Sequence, residues 1–248
     1  MAVLDRVTVD ERRLADRNLI PDPWFADLPV VAQLRREGLE LAAGVTVIVG
    51  ENGSGKSTFV EGLASRWGAS LTAHVKHWLP KSGHEDTALD RALVLSGEQP
   101  RPQGGCFLRA EAMHQLFDDI DQGVGPHAGA TRAFGGTLNT RSHGESFLAF
   151  LESMLSERGL FVLDEPEAAL SFMSCLRLLA ILDLVVEAGS QVVLATHSPV
   201  LAAMPGARVL EFGEHGFRTL AWDELELVAH WRSFLDRPDG YLRHLFGD

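Results

Sequence analysis

At 248 residues, 46% of them apolar, the chain is long enough to bury a full core, which excludes a disordered or low-complexity protein and favours one α/β domain. Acidic residues outnumber basic ones 34 to 22, and the net charge of -12 argues against non-specific attraction to nucleic acid or to anionic lipid. Two widely separated cysteines, Cys106 and Cys175, exclude a disulfide framework and fit a reducing cytoplasm.

In chain order, MAVLDRVTVDERRL has no apolar signal core. Leu4, Val7 and Val9 alternate there as an edge strand would. PDPWFADLP, residues 21 to 29, reads as a turn-rich link in which Trp24 and Phe25 serve packing.

The most specific stretch is VTVIVGENGSGKSTFVEGLA, residues 45–64. Val45, Val47, Ile48 and Val49 form a β-branched apolar run expected of a buried parallel strand, and a helical pattern begins near Lys56. Between them, Gly50, Gly55, Lys56 and Ser57 match G-x-x-x-x-G-K-[ST] in the strand, loop, helix context the motif requires. The loop glycines, with Asn52, Gly53, Ser54 and Thr58 around them, let successive backbone N–H groups turn inward as a phosphate nest at a helix N-terminus. Lys56 supplies a point charge to the β- and γ-phosphates of ATP, and the Ser57 hydroxyl is suited to ligate Mg²⁺. Lysine occurs only at positions 56, 76 and 81, so this one is conspicuous.

Residues 68 to about 145 are expected to form a helical insert in a single domain spanning 1–248. No heptad repeat appears there. His74, His77 and His84 lack the partners of a four-ligand metal set, and Cys106 in GCFL reads as an ordinary strand residue. FGGTLNTRS, with Gly135 and Gly136, is a flexible approach to the next motif.

That motif is TRSHGESFL, residues 140–148. Ser142 and Glu145 have capping-box spacing at the start of a helix whose apolar face carries Phe147, Leu148, Leu151, Met154 and Leu155. A capped helix start can also hold an anion, whereas a serine nucleophile would need the second glycine of G-x-S-x-G and a preceding strand.

GLFVLDEPEAAL, residues 159–170, is a second buried strand, Leu160 to Leu163, ending in two carboxylates. Asp164 at the carboxyl end of a parallel strand is suited to hold Mg²⁺, and Glu165 to orient or deprotonate an attacking water. A solvated loop acid is the plainer alternative for Glu165. The run LLAILDLVV at 178–186 is broken by Asp183 and is too short to span a bilayer. A third strand, QVVLATHSP at 191–199, ends in His197, which can donate to the γ-phosphate or simply cap and pack. RVLEFGEHGFRTLAW, residues 208–222, reads as a hairpin followed by an amphipathic helix through Leu235.

Taken together, the phosphate loop, SHGES, DEPEAAL and ATHSP resemble the ATP-binding-cassette class of P-loop ATPases, and within it the small stand-alone bacterial ATPases. Ser142 precedes Asp164 by 22 residues, close to the signature-to-acid spacing of that class, although His143 stands where the class usually has Gly. The resemblance implies a P-loop NTPase with a mostly parallel sheet. It also implies that Ser142 and Gly144 contact the γ-phosphate of ATP bound to a second copy, making an ATP-dependent homodimer. It places a γ-phosphate sensor near Glu111 or Gln115 and an adenine-stacking aromatic at Trp24 or Phe25. After Glu167, Ser171 departs from the Asp that usually closes the following loop. The resulting expectation is a cytoplasmic, Mg²⁺-dependent ATP hydrolase with Glu165, His197 and Lys56 in catalytic roles. Its alternatives are the ATP-binding subunit of a transporter, reaching a membrane only through a partner protein, a DNA-maintenance or defence ATPase, and a nucleotide-gated scaffold.

Overall fold

The computed structural model describes residues 2–68, 88–110, 121–122, 143–153 and 158–246. The chain opens with β1 (Leu4–Val9), α1 (Glu11–Ala15), a 3₁₀ turn at Trp24–Asp27, α2 (Pro29–Glu37), β2 (Leu39–Glu40), β3 (Val45–Gly50) and α3 (Lys56–Gly68). It continues with α4 (Leu89–Ala92), β4 (Leu93–Gly97), β5 (Gly104–Arg109), α5 (His143–Ser153), β6 (Gly159–Asp164), α6 (Phe172–Glu187) and β7 (Gln191–Ala195). It closes with α7 (Pro199–Ala202), β8 (Arg208–Gly213), β9 (Gly216–Thr219), α8 (Glu226–Asp236) and α9 (Pro238–Phe246).

Six strands form the main sheet in the order β5-β6-β7-β3-β8-β9, parallel throughout except for β9, which turns back on β8 as the expected hairpin. The two-residue side-chain period sends alternate residues to opposite faces. Val45, Val47 and Val49 of β3 join Phe161 and Leu163 of β6 against α5 and α6, while Ile48, Leu160 and Val162 join Phe59, Leu63 and Trp67 of α3. Both faces are covered, which explains why these strands read as unbroken apolar runs rather than as alternating ones.

A smaller antiparallel sheet, β2-β1-β4, lies over the α3 side. Here the edge-strand expectation for Leu4, Val7 and Val9 is corrected. β1 is the middle strand, with Val7 opposite both Leu39 and Leu95. Alternation reports that one face is buried; it carries no information about how many neighbours a strand has. Within residues 68–145 the described stretch 88–110 includes β4 and β5 alongside the short α4. Cys106 is a buried residue of β5, as expected of an ordinary strand position.

Gln191 joins the two sheets. Its fully buried amide accepts from Leu4 N (2.7 Å) and donates to Leu4 O (2.9 Å) and Ala42 O (2.6 Å), tying β1 to the start of β7. Such a network is valuable because each backbone group would otherwise lose water without replacement. Gln191→Leu is expected to lower the unfolding free energy by about 1–3 kcal/mol, read from urea denaturation. An unchanged midpoint and slope would contradict this account of how the sheets are held together.

Candidate functional site

The carboxyl ends of β3, β6 and β7 converge at one end of the main sheet, and the chemistry-bearing residues collect there. β3 stops at Gly50 and α3 starts at Lys56, leaving a tight loop between them. Gly50 has φ +152°, and a Cβ on it would lie 2.4 Å from the Phe212 carbonyl oxygen. Gly55 has φ +93° and would meet Val30 at 2.8 Å. Side chains are excluded at both positions, so the loop can close down in front of α3.

Lys56 is buried and donates from Nζ to the carbonyls of Gly50 (2.9 Å) and Glu51 (3.0 Å). Burial lowers its pKa, opposed by the negative charges of Glu165, Asp164 and Glu167. The Ser54 hydroxyl, shielded from solvent, has no hydrogen-bond partner. A cavity of about 230 Å³ opens over the N-terminus of α3, lined by Trp24, Asn52, Lys56, Ser57, Thr58 and Glu165 among others. Trp24 is 52% exposed at its rim, whereas Phe25 is wholly buried in the core. A wider groove of about 700 Å³ runs on the outer side of the loop, between Glu51–Ser54, His197 and the β8–β9 hairpin.

Asp164 ends β6 and is 2% exposed. Its Oδ1 accepts from the Ser57 hydroxyl at 3.3 Å, and its Oδ2 accepts from Arg109 Nε at 2.9 Å. Burial pushes the Asp164 pKa upward, and the Arg109 guanidinium opposes that shift. A carboxylate and a hydroxyl this close form a hard oxygen pair. Mg²⁺ suits such a pair, since it takes one or two protein oxygens together with phosphate oxygens, and its charge would offset the cost of the buried carboxylate. Among the described residues no cluster of three or more His, Cys, Asp or Glu forms a separate metal site.

Glu165 adopts a left-handed conformation, φ 50° and ψ 50°, with its N–H donating to Ala195 O at 2.9 Å. The turn takes it off the line of β6 and brings Oε1 to 3.2 Å from His197 Nε2. Glu167 braces the far side, its Oε1 accepting from the His197 backbone N–H at 2.5 Å. A non-glycine residue held in this region costs on the order of 1–3 kcal/mol and persists only where its surroundings over-determine it.

The phosphate-loop residues, Asp164, Glu165 and His197 are therefore assembled within one chain. Gly144 is not among the residues lining the cavity. It lies in the first turn of α5, where an added Cβ would come 3.0 Å from Ala169 O, so that turn rests on the Pro166–Ala169 segment after Glu165. Ser142, Glu111, Gln115, Gly135, Gly136 and the histidines at 74, 77 and 84 fall outside the described residues. Sequence reasoning missed Arg109. Its signal is the β5–β6 register, which sets Arg109 beside Asp164.

A strand, a phosphate loop on a helix N-terminus and an acid two strands away define a P-loop nucleotide hydrolase. An "AAA domain" family matches residues 31–70, and "AAA domain, putative AbiEii toxin, Type IV TA system" matches residues 144–203. Over 220 residues the chain is 27% identical to the cytochrome c biogenesis ATP-binding export protein CcmA of Cupriavidus necator, covering 79% of this chain and 94% of that protein. Among solved structures, cbiO1 of Clostridium perfringens, part of the ABC transporter complex cbiONQ, is similar at 18% identity and TM-score 0.47, over 84% of this chain and 90% of that one. The SMC head domain of Thermotoga maritima is similar at 14% identity and TM-score 0.43, over 74% and 92% respectively. These matches make the chain similar to ABC-type and AAA-domain P-loop ATPases, and with its phosphate loop and acid pair it is read as an ATP hydrolase that uses ATP with Mg²⁺. Among the described residues, no helix is long and apolar enough to cross a membrane.

The left-handed turn makes a separable prediction. Glu165→Gly relieves the backbone without opening a core cavity, so thermal unfolding should occur at the parent temperature or above it, by up to about 1 kcal/mol of added stability. A loss larger than about 1 kcal/mol would show that the side chain's contacts outweigh the backbone cost.

Proposed function

We propose that this single ATPase domain hydrolyses ATP at a site shared by two copies, and that the closing and opening of the pair is the output of the cycle. Phosphates lie in the Gly50–Thr58 loop, where Gly50, Asn52, Gly53, Ser54, Gly55 and Thr58 supply backbone and side-chain donors. Lys56 exchanges the Gly50 and Glu51 carbonyls for β- and γ-phosphate oxygens. Ser57 and Asp164 hold Mg²⁺, which neutralises charge building on the phosphates. Trp24, half-exposed at the cavity rim, stacks on adenine. Glu165 takes a proton from the attacking water, and His197 donates a hydrogen bond to the γ-phosphate.

The observation that carries the catalytic assignment is the left-handed Glu165, whose carboxylate faces His197 beside the cavity that holds Lys56 and Ser57. A conformation retained against its own cost is expected where a side chain must be aimed. The shared site has separate support: in the first turn of α5, Gly144 rests on its own chain's Ala169 and does not line its own cavity, which leaves it available to the other copy. Cytoplasmic residence belongs to the same proposal and agrees with the low cysteine content, two residues in 248.

The likeness to an export protein's ATP-binding chain, over 94% of that chain, favours a second reading in which the same ATPase drives a membrane-embedded partner. Every catalytic residue is common to both readings, and co-purification with a membrane protein distinguishes them.

The catalytic assignment is tested by steady-state turnover of Glu165→Gln alongside ATP affinity. Turnover should fall about 10²- to 10⁴-fold with affinity retained. Near-parent turnover would exclude Glu165 as the base.

A further inference from the structure

Arg109 is held in a specific way for which the ATP cycle, as described so far, has no use. Its guanidinium spans two carboxylates on different elements, Nε donating to Asp164 Oδ2 at 2.9 Å and Nη2 to Glu61 Oε2 at 3.2 Å. The ring of Phe107 lies under it, 5.6 Å from centroid to guanidinium carbon. Glu61 stands four residues after Ser57 on α3, so the two share a helix face. Asp164 uses its other oxygen, Oδ1, to accept from Ser57 at 3.3 Å. The contacts close a ring: Ser57 to Asp164, Asp164 to Arg109, Arg109 to Glu61, and Glu61 along one helical turn back to Ser57.

We infer that Arg109 is a positioning residue for the metal pair, fixing the rotation of the Asp164 carboxylate and the α3–β6 spacing so that Oδ1 and the Ser57 hydroxyl face the same point. This rests on the reading of Ser57 and Asp164 as the Mg²⁺ ligands. A free aspartate rotates about its terminal torsion with little preference. Arg109 removes that freedom by occupying Oδ2 while leaving Oδ1 to the hydroxyl. The task suits arginine, because a planar fork can hold two carboxylates in fixed directions, whereas a lysine ammonium supplies charge without direction. A plain ion pair between β5 and β6 would need only the Asp164 contact. The second contact to Glu61, on the helix that carries the other ligand, is what a structural pair has no reason to include.

The test compares the affinity of the full chain for ATP bearing a fluorescent ribose label in EDTA and in saturating Mg²⁺, the ratio being the gain due to the metal. The parent should show a gain, and Asp164→Asn should abolish it. Arg109→Ala should lower the gain by about 10- to 100-fold, the range for partners that orient metal ligands, and leave the EDTA affinity unchanged. Arg109→Lys should recover only part of the gain. Glu61→Gln, which keeps Asp164 paired, should lose part of it and keeps the inference testable should Arg109→Ala fail to fold. A gain lost in Asp164→Asn but intact in the Arg109 and Glu61 variants overturns this inference alone. A gain that survives Asp164→Asn overturns the metal reading and the inference with it. An equal fall of affinity with and without Mg²⁺ makes Arg109 merely structural and also overturns it.

Discussion

Parallel pairing of β3, β7 and β6 governs everything else in the molecule. With Val47 opposite Leu194 and Leu194 opposite Leu163, the three strands run out at a common edge, and Gly50, Asp164 and Ala195 terminate within reach of one another. A parallel sheet brings carboxyl ends together without further design, and helices on both faces make it rigid. Loop, acid pair and histidine are then delivered by strand ends separated by long stretches of sequence. The register is protected in turn by the two packed faces, since a one-residue slip would exchange them.

The charge distribution at that edge follows from the same arrangement. Asp164, Glu165 and Glu167 crowd into one turn facing Lys56, and Arg109 lies behind Asp164. Burial disfavours the ionised form of Asp164 and the charged form of Lys56 alike, so Lys56 depends on the neighbouring carboxylates and Asp164 on the Arg109 guanidinium. Phosphates entering such a site would meet carboxylates as well as donors, which is why oxygen-bound Mg²⁺ belongs in the account. Lys56 donates to two loop carbonyls, which braces the nest from within.

Much of this could be read from the sequence because parallel strands advertise themselves. VTVIV, LFVL and QVVLA are each an apolar run followed by turn chemistry, and the acid and histidine at their ends need no tertiary information. The hairpin at 208–222 and the amphipathic helix after it were equally legible. What escaped depends on pairing. β1 looked like an edge because alternation is the same for one neighbour as for two. Arg109 is one arginine among many until β5 is registered against β6, and the left-handed Glu165 has no glycine or asparagine to announce it. The division between Trp24 at the cavity rim and Phe25 in the core reflects the 3₁₀ turn at Trp24–Asp27, which sends neighbouring side chains in different directions.

The central claim is that two chains complete one site, and mass in solution tests it most directly. Glu165→Gln protein, which should trap bound ATP, would be passed through gel filtration with light-scattering detection, with and without Mg-ATP. The account predicts a monomer that becomes a dimer when Mg-ATP is added, with the shift abolished by Ser142→Arg. A chain that binds Mg-ATP and stays a monomer would contradict the shared site and leave the segment before α5 as a helix cap alone.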